Sequence, residues 1–300
     1  MKLTALILTF NEAIHLERCL ANVSQLTSDI VVVDSFSTDQ TIQIAQKFGA
    51  RILQRAWENN HASQVNWALS QLPSTTEWVM RIDADEILTP TLIAQIQACL
   101  PHVDKEINGI SCIRKMVFQG KLIRFGGVGA NRVLRLFRFG FGQSESRWMD
   151  EHIKVAGQTI DLSGAMIDDN LRPLDWWIEK HKNYATREAV DLLNLEYQFS
   201  KRNSVAELSL KSSSIGTKRW IKESIYAKLP GGSRALAYFF LRYFIFCGFL
   251  DGLRGSQFHY LQAYWYRTLA DRKVAQVKRY MQQHQVGPVI AIQEVLGIVL

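Results

Sequence analysis

The chain has 300 residues, 47% of them apolar, enough to bury one large domain or a domain with an appendage. Its four cysteines, Cys19, Cys99, Cys112 and Cys247, form no CxxC pair, which excludes a zinc knuckle and a disulfide framework and fits a reducing, cytoplasmic setting. The net charge of +7 is unevenly placed: residues 1–200 carry 20 Lys and Arg against 23 Asp and Glu, and residues 201–280 carry 15 against 4. A basic block interleaved with aromatics suits nucleic acid or an anionic membrane surface.

Met1-Lys2 and the apolar run that follows have the outline of a leader. The run is short, however, and meets Asn11-Glu12 without a small-residue cleavage site, so Leu3 to Phe10 reads as a first core strand. Leu16, Cys19, Leu20 and Val23 then recur at helical spacing. Ile30 to Val33 is a second strand, followed by the polar loop Asp34 to Asp39 and a helix with Ile44, Ala45 and Phe48 inward. Ala50 to Leu53 is a short third strand, and Val65, Ala68, Leu69 and Leu72 mark an amphipathic helix before a fourth strand that begins at Trp78. Pro90 stands near the start of the next helix. Strands alternating with helices predict a Rossmann-like α/β fold with a mostly parallel sheet.

The fourth strand ends in Asp83-Ala84-Asp85. Side chains alternate along a strand, so two carboxylates at its tip share a side, and hard oxygens suit Mg²⁺ or Mn²⁺. Thr9, Asn11 and Glu12 follow strand one, Asp34 to Asp39 follow strand two, and the aspartate pair follows strand four. All three loops open on the edge where open α/β sheets bind ligands. Carboxylates and amides there can take a base and a ribose, with a metal neutralising a diphosphate. Neither GxGxxG nor GxxxxGK[ST] is present, which removes the nicotinamide and P-loop readings. Taken singly, Asn11 and Asp39 also suit helix N-caps.

Leu-Thr-Phe-Asn-Glu at 8–12, Val-Val-Val-Asp-Ser-Phe-Ser-Thr-Asp at 31–39 and Arg-Ile-Asp-Ala-Asp-Glu at 81–86 resemble, in that order, the GT-A glycosyltransferases of family 2, especially small bacterial enzymes of lipopolysaccharide-core and capsule assembly. The resemblance is specific over the first hundred residues and looser as far as Asp150-Glu151-His152. It implies a nucleotide-sugar donor, an inverting transfer and a divalent metal, Mn²⁺ or Mg²⁺. Carried over by position, Thr9, Asn11, Glu12, Asp34 and Asp39 would contact the nucleoside, Gln64 and Asp83 would lie near ribose or sugar, and Asp85 would ligate the metal. Many members have Asp-Asp where this chain has Asp34-Ser35. Processive members carry Gln-x-x-Arg-Trp; here Gly216 replaces the Gln before Lys218-Arg219-Trp220, which argues for transfer of one sugar.

Inversion needs a base opposite the leaving nucleotide, and Trp148-Met149-Asp150-Glu151-His152 supplies two carboxylates and an imidazole beside an aromatic. Relatives show His-Glu or Glu-x-His there, which favours Glu151, with Asp150 second; His152 equally suits a place in a core. Arg124, Arg132, Arg135 and Arg138 lie among glycines between 120 and 142 and suit donor phosphates, an anionic acceptor or solvated surface.

From about residue 171 the chain changes character, with a helix around Trp176 to Ala189 and a polar hinge at Ser200 to Ser214. Residues 235–250 are apolar apart from Arg242 and Gly248, too short a run to span the roughly 20 residues of a bilayer. Flanked by basic residues, they suit helices in a membrane interface, or equally an appendage packed on the catalytic domain. The expected organisation is a GT-A domain over 1–200, its nucleotide-sugar half ending at 104, and a helical C-terminal region over 201–300. The leading function is transfer of a sugar, from a UDP-sugar in the first instance, to a lipid-linked glycan on the inner face of the cytoplasmic membrane. The rivals are a sugar nucleotidyltransferase, which usually shows a Gly-rich basic loop where this chain has Asn11-Glu12, and a basic protein without catalysis that binds nucleic acid or membrane and has no need of Asp83 and Asp85.

Overall fold

In a computed structural model, residues 2–58, 60–129, 131–145, 152–199 and 232–300 are described. The first hundred residues alternate as predicted: β1 (Leu3–Thr9), α1 (Ala13–Val23), β2 (Asp29–Asp34), α2 (Thr41–Lys47), β3 (Arg51–Gln54), α3 (His61–Ser70), β4 (Trp78–Asp83), β5 (Glu86–Leu88) and α4 (Pro90–Cys99). β1 lies between β2 and β4 and runs parallel to both, which is why it is apolar on both faces. Ala5 and Ile7 meet α1 and α4 on one side of the sheet. Leu6, Val31 and Val33 meet Val65, Ala68 and Leu69 of α3 on the other. α3 starts where the Asn60 side chain accepts the Ser63 amide at 2.9 Å, and α4 where Thr89 accepts that of Leu92.

Beyond α4 come β6 (Ile107–Phe118), β7 (Lys121–Ile123), β8 (Asn131–Arg138), β9 (Gly142–Ser144), β10 (Ile153–Val155) and β11 (Gln158–Asp169). The strand order is β3-β2-β1-β4-β8-β6-β11-β5, with β7 on β6 and β9 paired separately with β10. The parallel arrangement therefore covers β3 to β4, and the sheet continues as a mixed one, because β8 runs antiparallel to β4 and to β6. The predicted fourth strand is β4, ending at Asp83, and a further short strand, β5, follows it. After Asp83 the chain turns, and β5 leaves β4 to pair antiparallel with β11 at the far end of the sheet order. That turn brings the end of β11 beside the aspartate pair.

Two compact units part at Arg172 and Pro173, whereas the sequence suggested a boundary at 200. The helix α5 (Leu174–Tyr197) groups with the C-terminal helices because Ala185 is buried with Tyr266 and Ala270, and Val190 and Leu193 with Val277 and Ile292. In this second unit α6 (Ser233–Phe240) runs into a π-helical turn, Leu241–Ile245. A 3₁₀ segment, Gly248–Asp251, leads to α7 (Gly252–His259), and a second π-helical stretch, Tyr260–Trp265, to α8 (Tyr266–His284) and α9 (Pro288–Leu296). The predicted hinge at 200–214 and Lys218-Arg219-Trp220 lie outside the described residues.

Candidate active site

The loops after β1 and β2 are tied to each other through the residues singled out in the sequence. Thr9 Oγ1 donates to Asp34 Oδ1 at 3.0 Å. Asp34 has no exposed surface. Its oxygens also accept the Ser37 amide at 2.8 Å and Gln54 Nε2 at 3.4 Å, so in this structure Asp34 holds the turn, and the half-buried Ser35 follows it. Asn11 adopts a left-handed φ of 54°, a conformation asparagine tolerates. Its side-chain oxygen accepts the Thr38 amide at 2.8 Å, while its own amide donates to Ser37 Oγ at 2.7 Å. Phe36, also at positive φ, is exposed; such strained positions concentrate at ligand sites.

Asp39 bridges two helix starts. Its carboxylate accepts the Ala13 amide at 3.1 Å and the Thr41 amide at 3.0 Å, the first residues of α1 and α2. Partial burial pushes its carboxyl up, but the hydrogen bonds from Thr41 and Ala13 and the nearby Arg172 charge outweigh that and hold it below the usual range. Glu12 is oriented by the buried His15: Leu171 donates its amide to Nε2 at 2.9 Å, so Nδ1 carries the proton shared with Glu12 Oε2. Arg172 approaches the other Glu12 oxygen at 3.8 Å. Gln64, 2% exposed, spans 3.2 Å to Ser35 Oγ and to the Arg55 carbonyl, which places it against the second loop.

The two aspartates of the third loop have different partners. Asp83 accepts Arg81 at 2.5 Å and Arg135 at 3.2 Å; burial opposes its charge, but the two guanidiniums hold its carboxyl far below the ordinary range. Asp85 accepts only a neutral amide in the described contacts, Asn170 Nδ2 at 2.9 Å. Its backbone carbonyl accepts the Asp169 amide at 3.0 Å, and Arg18 anchors the same stretch through Asp169. Asp168 is the residue the sequence reading missed. Burial and then the negative charge of Asp85 push its carboxyl up to about 7, against the pull of Arg114. An acid raised by a neighbouring carboxylate marks two hard oxygen donors side by side, a set that suits a divalent cation, so the residues present fit one. Among the described residues no three His, Cys, Asp or Glu side chains converge on one point; a cation here would draw its other ligands from a diphosphate and water. A sequence signal existed in the run Asp168-Asp169-Asn170 at the tip of a strand.

Arg135 also differs from expectation. It is 4% exposed and paired with the buried Glu86 and with Asp83, so it sits beneath the site as a counter-charge, not on a surface facing phosphates. His152 is 42% exposed beside Glu145 and is not a core histidine. Asp150 and Glu151 lie outside the described residues.

The model of the family described as "Glycosyl transferase family 2" matches residues 4–144. The lipopolysaccharide core biosynthesis glycosyltransferase LpsC of Rhizobium meliloti is 31% identical over 63% of this chain and 71% of its own length. An uncharacterized glycosyltransferase of Rickettsia typhi is 25% identical over 69% and 73%. Among solved structures, the mannosyltransferase PcManGT of Pyrobaculum calidifontis, in complex with GDP-Man and Mn²⁺, aligns at 16% identity and a TM-score of 0.47 over 94% of this chain and 88% of that one. S. aureus TarS 1–349 with UDP-GlcNAc aligns at 16% and 0.44 over 93% and 92%. With the three sequence motifs gathered at one sheet edge in a GT-A-like α/β fold, and a relative of this identity covered over most of its length, the chain belongs to glycosyltransferase family 2.

Proposed function

We propose that this family 2 glycosyltransferase moves one sugar, with inversion, from a UDP-sugar to a lipid-linked glycan at the inner face of the cytoplasmic membrane, in lipopolysaccharide or capsule assembly. The observation that carries the reading is the convergence at one sheet edge of the three motif loops that follow the parallel strands β1, β2 and β4, with the charge of Asp85 raising the acid of Asp168 there. The likeness to LpsC supports the lipopolysaccharide assignment. Asn11 and Glu12 would meet the nucleoside, with Thr9, Asp34 and Asp39 holding the loops in shape. Gln64 and Asp83 would lie near the ribose or sugar, Asp83 kept ionised by its two arginines to accept hydroxyl protons. Asp85, with Asp168, would hold Mn²⁺ or Mg²⁺, which when bound neutralises the diphosphate of the leaving nucleotide. Glu151 would take the proton of the attacking acceptor hydroxyl as its oxygen bonds to the anomeric carbon and the bond to the nucleoside diphosphate breaks; Asp150 is the alternative.

Donor choice is tested by hydrolysis of a panel of UDP-, GDP- and TDP-sugars with Mn²⁺. Calorimetry of UDP with and without Mn²⁺ tests the site: Asp85→Ala should lose the metal-dependent part of the affinity, and an unchanged metal dependence overturns the assignment. Glu151→Gln should keep donor binding while transfer falls on the order of 10²- to 10⁴-fold; if Asp150→Asn is the inactive variant instead, the base is one residue earlier.

A further inference from the structure

In the second unit one helical elbow buries charged side chains beside Phe258 and Leu261 and exposes a run of large apolar ones. The segments Ser233–Ile245 and Gly248–His284 meet at a bend of 68°. Cys247 turns the chain at a left-handed φ of 55°. The arms approach so closely at Gly248 that a Cβ there would stand 2.6 Å from the His259 ring and 2.8 Å from the Arg242 carbonyl. Two polar contacts join the arms, Arg234 donating to Asp271 at 2.8 Å and Arg242 to Gln262 at 2.6 Å, and within the second arm His259 faces Asp251 at 3.8 Å. Arg234, Arg242, Asp251 and His259 are all buried. The outside of the elbow carries Leu236, Phe240, Phe244, Ile245, Leu250 and Leu253, every one exposed and Leu253 at 87%. Water favours the opposite arrangement, and an apolar patch of this kind marks a surface that something covers.

We propose that this elbow inserts into the interfacial layer of an anionic lipid bilayer, with Leu236 to Leu253 among the acyl chains. The inference deepens the reading of a lipid-linked acceptor by naming the surface that would meet the membrane, and it rests on that reading. No single helix among the described residues is long and apolar enough to cross a bilayer, and an exposed apolar face on short bent helices beside basic residues suits shallow insertion in the interface. The excess of 15 basic over 4 acidic residues across 201–280 favours anionic headgroups and repels a second copy of the chain. Tyr243 stacks at 5.2 Å on Phe239 and meets Phe244 edge-on at 5.1 Å, an aromatic group of the type enriched where apolar and wet layers meet.

The test is flotation of the full-length protein with vesicles of phosphatidylcholine alone or mixed with phosphatidylglycerol, at low and high salt. The protein should float with the mixed vesicles and keep a salt-resistant fraction. Phe244→Asp with Leu253→Asp should lower that partition about tenfold or more, and the independent pair Leu236→Asp with Leu250→Asp should do the same. Val299→Asp, at an exposed position outside the elbow, should leave it unchanged. Donor hydrolysis in vesicle-free buffer is measured on every variant and should stay at the wild-type rate, since it depends on the other unit; its absence in the wild type would count against the proposed activity, not against the elbow. The inference is overturned if the wild type stays at the bottom of every gradient or if the aspartate pairs float as well as the wild type. Equal partition onto zwitterionic vesicles overturns the choice of an anionic surface. A dimer seen by light scattering that the same substitutions abolish, without flotation, assigns the elbow to a second copy and also overturns it.

Discussion

Replacing Arg135 by methionine tests the electrostatic foundation of the site. The guanidinium is 4% exposed and its NH2 reaches Glu86, itself 1% exposed, and Asp83 at 3.2 Å. Burial pushes the Glu86 carboxyl up and Asp83 adds to that, while Arg135 is the main pull downwards. Without it Glu86 is a buried acid with no cation bonded to it and has to take up a proton. Asp83 keeps Arg81 at 2.5 Å, so the loss falls mainly on Glu86. Breaking a buried ion pair from one side costs about 3–5 kcal/mol, whereas exchanging both members for neutral groups of similar volume is close to neutral. Arg135→Met should therefore lose about that much in urea unfolding at constant m-value, and Arg135→Met with Glu86→Gln should recover most of it. A Gln oxygen can still accept the Asp83 amide, now bonded to Glu86 at 3.0 Å. Completing the cycle with Glu86→Gln alone isolates the coupling. A single-variant loss under about 1 kcal/mol, or a double variant no more stable than Arg135→Met, refutes the reasoning.

Asp168 should give a pH signature opposite to that of an ion-paired acid. Its folded-state pKa is raised from 3.8 to about 7, so the stability it contributes is complete below the unfolded carboxylate value and is lost as pH rises through about 7. In metal-free buffer the advantage of wild type over Asp168→Asn should therefore shrink between about pH 4 and pH 7 and stay level above that, and Mn²⁺ should restore stability to the wild type at the upper end more than to the variant; a flat difference counts against the influence of Asp85 on Asp168. Gly164→Ala would place a Cβ 2.6 Å from the Leu92 Cα and 2.8 Å from its nitrogen, so α4 would have to move, at about 1–3 kcal/mol; a melting temperature within about 1 °C of wild type would show that the helix yields without cost.

The alternating strands and helices of the first hundred residues were legible because a parallel strand buried on both faces must be apolar throughout, as β1 and β2 are. The convergence of the first three loops followed from that topology. Asp168 left a sequence signal in the run Asp168-Asp169-Asn170, but its place near Asp85 was not legible, since it depends on β5 crossing to pair with β11 and on the register that sets Asp168 opposite Glu86. Long-range antiparallel register leaves little trace in local spacing. Arg135 was misjudged for a related reason. Among neighbouring arginines in a glycine-rich stretch nothing in the sequence separates the one whose strand pairs it inward from those that face solvent. The units part at Arg172 and Pro173 because α5 packs through Ala185, Val190 and Leu193 on the C-terminal helices, and helical spacing within α5 shows that it has an apolar face without showing which unit covers it.

Asp83 and Asp85 show why a short motif does not assign its own chemistry. Both are aspartates on one turn, and period two would give them the same side of a strand. The chain leaves the strand after Asp83, so that carboxylate stays over β4 and β8, where Arg81 and Arg135 neutralise it. Asp85 passes to the end of β11, where its neighbours are an amide and another acid. An aspartate already bonded to two guanidiniums gains little from a cation and is suited to accept hydroxyl protons. An aspartate beside a second acid, itself raised despite Arg114, gains more from one. The proposed division of labour between sugar contact and metal ligand would therefore follow from which cations the fold supplies to each carboxylate.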